Sequence, residues 1–178
     1  MNSPAPTHTL RRVAPAEAAA CVPGLAEVLI DCVQGGASVG FMWPLPRERA
    51  LAFWAGVARG VEQGERILMV AEDAQGRIVG TVQGIVALPD NQPHRADVAK
   101  MLVHRSARRL GLAERLLAAL STELRAAGKT LMVLDTVTGG DAERLYARHG
   151  WQLSGVIPDF ALMPDGAYCS TTIFYKRL

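Results

Sequence analysis

Cysteine is scarce in this 178-residue chain, and the three present, Cys21, Cys32 and Cys169, show no Cys-x-x-Cys spacing. An odd count in no paired pattern excludes a disulfide frame. The four histidines, at 8, 94, 104 and 149, form no pair at helical spacing, which excludes the usual zinc sets. Charge of one sign is missing too: 19 Lys+Arg against 17 Asp+Glu leave +2, too little to make nucleic acid or an anionic membrane the main partner. No stretch reaches the roughly 18 to 20 apolar residues a bilayer requires. Met1 to His8 has no basic segment leading into a hydrophobic run, so a cytoplasmic protein is expected. Also absent are Gly-x-x-x-x-Gly-Lys followed by Ser or Thr, and Gly-x-Gly-x-x-Gly, which excludes a Walker A loop and a dinucleotide-binding turn. Any anion site must therefore be local.

What is present is an ordinary globular composition, 49% hydrophobic and 20% charged, in a chain long enough to bury roughly two-thirds of its unfolded surface. The expectation is one domain over residues 10–178 after a flexible 1–9. Leu25, Val28, Leu29 and Cys32 fall at helical spacing between Ala16 and Val33, with Pro23-Gly24 marking a break or a late start. The loop from Ala37 to Pro44 is rich in large apolar groups, as pocket-lining loops are. A second helix is predicted from Arg47 to Gln63, stopped by Gly64. Two strand-like runs, Arg66 to Glu72 and Arg77 to Leu88, flank the hairpin sequence Asp73 to Gly76. A third strand, Asp97 to Val103, leads into an Arg-rich turn and a helix over 111–127 with Leu112, Leu116, Leu117, Leu120 and Leu124 on one face. An apolar strand from Thr130 ends in Asp135-Thr136. A short helix, Ala142 to His149, follows, then strands over Trp151 to Ile157 and Ser170 to Lys176 with a loop from Pro158 to Tyr168 between them. This order predicts a mixed α/β fold.

The chemistry concentrates in Val103 to Ala113, between a strand and the start of the Leu-faced helix. A first helical turn offers backbone N–H groups with no intrahelical acceptor, and its dipole adds about half a positive charge. Small residues at 111 and 113 admit a phosphate to the backbone, and Arg108 and Arg109 add charged donors. The arrangement suits a pyrophosphate.

With Arg108-x-x-Gly111-x-Ala113 following Leu102-Val103, the chain resembles the GCN5-related N-acetyltransferase (GNAT) superfamily, whose Gln/Arg-x-x-Gly-x-Gly/Ala loop binds coenzyme A. The resemblance covers most of the chain, and Arg109 departs from the pattern where glycine is common. It implies a mostly antiparallel sheet flanked by helices, with splayed central strands forming an acetyl-CoA cleft between Met101–Val103 and Leu131–Asp135. It also implies cofactor contacts from Met101, Leu102, Val103, Arg108, Arg109, Leu110, Gly111, Leu112 and Ala113, with no metal. Gly35 to Met42, Leu134-Asp135-Thr136 and the tail with Pro164-Asp165-Gly166 before Thr172 to Lys176 are similar to acetyltransferases of the tabtoxin-resistance group.

On this reading acetyl passes from acetyl-CoA to the amine of a small molecule by direct attack in a ternary complex, as in antibiotic- or toxin-resistance enzymes. Such a transfer needs a neutral amine, donors for a developing oxyanion and a proton for the thiolate. Tyr146 is the proton donor by its position in the family, although Ala142, Leu145, Tyr146 and His149 also mark a core-facing helix side. Asp135 is the candidate base, or else a cap for the 137–141 turn. Glu72 is the reserve base, or else a surface group beside the hairpin. The oxyanion donors are backbone N–H groups near Val103. Ser38, Phe41, Met42, Trp43 and Asp135 are the acceptor-site candidates, joined by Asp159 and Asp165. Cys169 reads as a buried structural thiol. Competing readings are a protein or peptide N-acetyltransferase and a non-catalytic acyl-CoA sensor. Monomer and homodimer stay equally open.

Overall fold

The computed structural model describes residues 8–178, so most of the 1–9 segment lies outside the described residues. The part of it that is described is ordered: Thr9–Arg12 forms strand β1, antiparallel to β2 (Arg66–Glu72), with Thr9 opposite Glu72. Four residues are too few to show alternation; pairing with β2 makes them a strand. The sheet continues through β3 (Ile78–Ile85), β4 (Arg95–Val103), β5 (Leu131–Val137), β6 (Gln152–Leu162) and β7 (Tyr168–Arg177), in spatial order β1-β2-β3-β4-β5-β7-β6. Every neighbouring pair is antiparallel except β4 and β5, which are parallel.

Helices α1 (Ala18–Gln34) and α2 (Arg47–Glu62) cover one face of the sheet, and α3 (Leu112–Ala126) and α4 (Asp141–Arg148) the other. Strand β2 shows why its sequence is a continuous apolar run. Leu68 and Val70 join the core beneath α1 and α2, while Ile67, Met69 and Ala71 join the one beneath α3. The five leucines on the predicted face of α3 are all buried.

Two expectations about element bounds are corrected. Helix α1 runs unbroken through Pro23-Gly24. Gly24 lies against Ile78, where an added Cβ would meet the Ile78 Cδ1 at 3.3 Å, so the pair serves close packing of α1 on β3 rather than interruption. The presumed 158–168 loop is mostly strand. The β6–β7 hairpin extends to Leu162 and Tyr168, and its irregular register between Ile157 and Ala161 accommodates Pro158 and Asp159.

Candidate active site

The site is a consequence of the one parallel pairing. Strands β4 and β5 are laddered only where Arg95, Ala96 and Asp97 meet Leu131, Met132 and Val133; beyond that point they separate. Strand β4 also bulges. Thr81 faces Leu102 and Gln83 faces Ala99, so Lys100 and Met101 share the space opposite Val82, and Lys100 takes φ +52°. Between the diverging strands lies a cleft of about 1230 Å³ walled by Val98–Val103 on one side and Asp135–Val137 on the other. The splay expected between Met101–Val103 and Leu131–Asp135 is therefore present, opening after Val133.

One end of the cleft is the Arg-rich turn. After a 3-10 turn at Arg105–Ala107, Arg109 adopts φ +63° and Gly111 φ +71°. Arg109 thus takes the left-handed conformation for which glycine is common, at a strain of roughly 1–2 kcal/mol. An added Cβ on Gly111 would meet nothing within 4 Å, so its backbone faces open space. The first helical bond of α3 recorded at this end runs from the Arg115 N–H to the Gly111 carbonyl, at 3.1 Å, and no side chain caps the helix. The N–H groups of Leu112, Ala113 and Glu114 are left for a ligand. These donors beside two arginines fit a diphosphate such as that of coenzyme A. Arg108 also has an internal task, its Nε donating to the Val103 carbonyl at 3.2 Å. Of the predicted cofactor contacts, Met101, Leu102, Val103, Arg108, Arg109, Gly111, Leu112 and Ala113 line the cleft; Leu110 is turned out to solvent at the crest of the turn.

The turn is anchored to α1 through Asp31. Its carboxylate accepts from the Arg105 backbone N–H and from Arg105 Nε, both at 2.8 Å, with His104 Nε2 at 3.4 Å. Burial works against the charged form, but the hydrogen bonds from Arg105 and the nearby cations outweigh it and hold the carboxyl below its usual range.

Tyr146 on α4 and Asp135 on β5 meet on the far wall. Tyr146 is buried, packed edge-on against Trp151 at 5.5 Å and tilted toward Phe174 at 6.1 Å, and it lines the cleft. It is thus a core aromatic and a cleft-lining residue at once. Burial pushes its phenol far above the ordinary range and the Asp135 charge adds to the rise. Asp135 is exposed to the cleft and accepts from the Thr171 hydroxyl at 2.9 Å, so it does not cap the 137–141 turn. Glu72 stands elsewhere. Strand β1 brings Arg11 against it, with Nη2 at 2.8 Å and Nε at 3.0 Å, and it takes no part in the cleft wall. The register that pairs β1 with β2 turns the reserve base into half of an ion pair.

At the other end, the 35–40 loop, Phe160-Ala161 and Cys169–Thr171 close the cleft. Ser38 lies there as expected, its Oγ donating to the Leu162 carbonyl at 2.8 Å. The three large apolar residues after it do not line the cleft. Phe41 packs edge-on to Phe53 at 5.3 Å, Met42 is exposed, and Trp43 is drawn to the β6–β7 turn by its N–H bond to the Pro164 carbonyl at 3.2 Å. Asp159, on the β6 irregularity, also lies outside, and Asp165 is occupied with the Ala167 N–H at 3.1 Å. Cys169 is half-buried on the cleft wall, 3.8 Å from Ser38 Oγ, rather than sealed in a core. The residue the sequence concealed is Lys100. It lines the cleft, and its ammonium sits 5.3 Å from the Phe53 ring centroid. No pattern in an alternating strand foretells the bulge that places it there.

An acetyltransferase (GNAT) domain model matches residues 63–153. An uncharacterised N-acetyltransferase of the hisH–hisA intergenic region of Azospirillum brasilense is 34% identical over 113 residues, spanning 62% of this chain and 65% of that protein. Among solved structures, a GCN5-related N-acetyltransferase from Kribbella flavida superposes with a TM-score of 0.77 at 20% identity, covering 96% of this chain and 98% of that one. A GNAT superfamily phosphinothricin acetyltransferase from Sinorhizobium meliloti, solved in complex with acetyl-CoA, superposes with a TM-score of 0.74 at 20% identity, covering 97% and 89%. The structural likenesses establish the fold. With the domain model reaching across half the sequence, from the end of α2 through the Arg-rich turn to the start of β6, the chain belongs to the GNAT acetyltransferase family.

Proposed function

We propose that the chain is an acetyl-CoA-dependent N-acetyltransferase that acetylates the amine of a small molecule by direct attack in a ternary complex, acting in the cytoplasm. The observation that carries this is the β4–β5 gap itself, with a diphosphate-binding turn at one end and Asp135 and Tyr146 on its wall. Acetyl-CoA bound there supplies an acyl group activated as a thioester. The open N–H groups of Leu112, Ala113 and Glu114, with Arg108 and Arg109, hold the diphosphate, and Met101 to Val103 align the arm that follows it. Backbone N–H groups near Val103 give donors for charge developing on an acyl oxygen. Tyr146 carries its proton at neutral pH, as a phenol does, with burial disfavouring the phenolate further, and it holds that proton at the cleft wall for a leaving group. Asp135, oriented by Thr171, attracts the amine and takes its proton, directly or through a water.

A small acceptor is favoured over a polypeptide because the loop at the acceptor end is tied to the β6–β7 hairpin, by Ser38 to Leu162 and, outside the cleft wall, by Trp43 to Pro164. Within that class, the segments similar to the tabtoxin-resistance group support a toxin- or antibiotic-inactivating role. The test is free thiol release from acetyl-CoA across a panel of amines that includes tabtoxinine, amino acids and short peptides. Release with a small amine is expected. Release with peptides alone would move the reading to a protein acetyltransferase, and acetyl-CoA binding without release on any amine would move it to a sensor.

A further inference from the structure

We infer that the Lys100 ammonium binds a carboxylate on the acceptor, so that the amine acetylated belongs to an amino-acid-like compound. The inference rests on the acetyltransferase reading above and deepens it. Three cations bear on this point, and of them Lys100 alone lines the cleft. Lys100 lies 5.3 Å from the Phe53 centroid and within 3.9 Å of the position a Cβ on Gly40 would take; Arg49 stands 5.7 Å from the Phe41 centroid; Arg66 donates to Gln83 Oε1 at 2.9 Å. Among the described residues none of the three has a carboxylate within 4.0 Å. Of the carboxylates on the cleft wall, Glu114 is paired with His149 and Asp141 with Arg144. Only Asp135 shares the middle of the cleft with Lys100. Burial, with a smaller push from Arg66, lowers the lysine's pKa below its usual range, and the Asp135 charge works in the other direction.

A half-buried ammonium over an aromatic face, with no anion in contact, keeps an unfilled demand for one. The strand geometry sets that demand opposite Asp135. Lys100 projects from the β4 bulge and Asp135 from β5, on the two sides of the gap. An acceptor with an ammonium and a carboxylate offers each group a partner of opposite sign. A simple amine leaves Lys100 unpaired, and a carboxamide in the carboxylate's place gives it a dipole in exchange for a charge.

The test pairs each of a set of L-amino acids with its own carboxamide. In the wild-type protein kcat/KM is expected to favour the acid at least ten-fold; the amide's amine is the less basic, so any bias from amine protonation runs against that result. Lys100→Met is expected to bring the ratio close to one, chiefly by raising KM for the acid, while calorimetric affinity for acetyl-CoA stays unchanged and certifies the fold. Lys100→Arg should restore part of the preference. Equal use of acid and amide by the wild type, or an equal fall for both in Lys100→Met, overturns the assignment. If acetyl-CoA binds and no amine reacts, the activity reading falls on its own and calorimetry of the CoA-loaded protein decides this one. Binding of the acids but not the amides, lost in Lys100→Met, supports it; binding of neither overturns it.

Discussion

Tyr146 owes its chemistry to the packing that surrounds it. The aromatic contacts with Trp151 and Phe174 exclude water from the ring, and the same exclusion keeps the phenol protonated. Tyr146→Phe keeps the packing and removes the proton, so kcat should fall about 10²-fold or more with acetyl-CoA affinity retained; steady-state kinetics beside calorimetry checks this. The sign of the alkaline effect follows from the raised pKa. Its contribution to stability is intact below the unfolded value of about 10 and is lost as pH climbs above it toward the folded value. Wild type should therefore lose stability above about pH 10 more steeply than Tyr146→Phe, as denaturant midpoints across that range would show. Asp135→Asn preserves shape and the Thr171 contact while removing the charge. A fall of about 10² in kcat/KM, with no loss of acetyl-CoA binding, is the expected result.

The Arg-rich turn is the element on which the cofactor end depends, and its two left-handed residues behave differently. Arg109→Gly relieves strain at φ +63° and removes a charged donor, so thermal melting should show no destabilisation while the Kd for acetyl-CoA rises about ten-fold. Its anchor, Asp31, has a depressed pKa. Its contribution is present above the unfolded value of about 3.9 and is lost as pH falls through the folded one. Asp31→Asn should cost about 1–3 kcal/mol at neutral pH and leave a smaller acid-induced loss than wild type, measured by denaturant titration at pH 7 and pH 3. The turn and α3 were legible because periodicity, small residues and arginines are local signals. So were α2 and the β2–β3 hairpin. The short β1, the continuity of α1 through Pro23 and the length of the β6–β7 hairpin were not, since each depends on a partner distant in sequence: β2, Ile78 and the opposite strand of the hairpin. The fate of Glu72 follows from the first of these, because no spacing rule connects residue 11 to residue 72.

At the scale of the whole molecule, the cleft divides the sheet where two parallel strands part, so a ligand seated there joins both halves. Acetyl-CoA at a hundred times its Kd should stabilise the protein by about 2.7 kcal/mol. For a chain of this size that is a rise in Tm of about 5–11 °C by thermal scan, and adenosine 3′,5′-bisphosphate, whose two phosphates are separate and which lacks the pyrophosphate linkage and the arm, should give much less. The sequence alone determined the class of fold, the Leu-faced helix and the Arg-rich turn before it, because helical period, capping chemistry and unpaired N–H groups are properties of contiguous residues. It also pointed to Asp135 and Tyr146 through likeness to a family. Only the tertiary structure decided that Phe41, Met42 and Trp43 leave the cleft, that Glu72 is held by Arg11 and that Lys100 lines the cleft. The reason is physical: which wall a side chain faces depends on strand register, on a bulge and on long-range partners, and none of these is encoded in the spacing of neighbours along the chain.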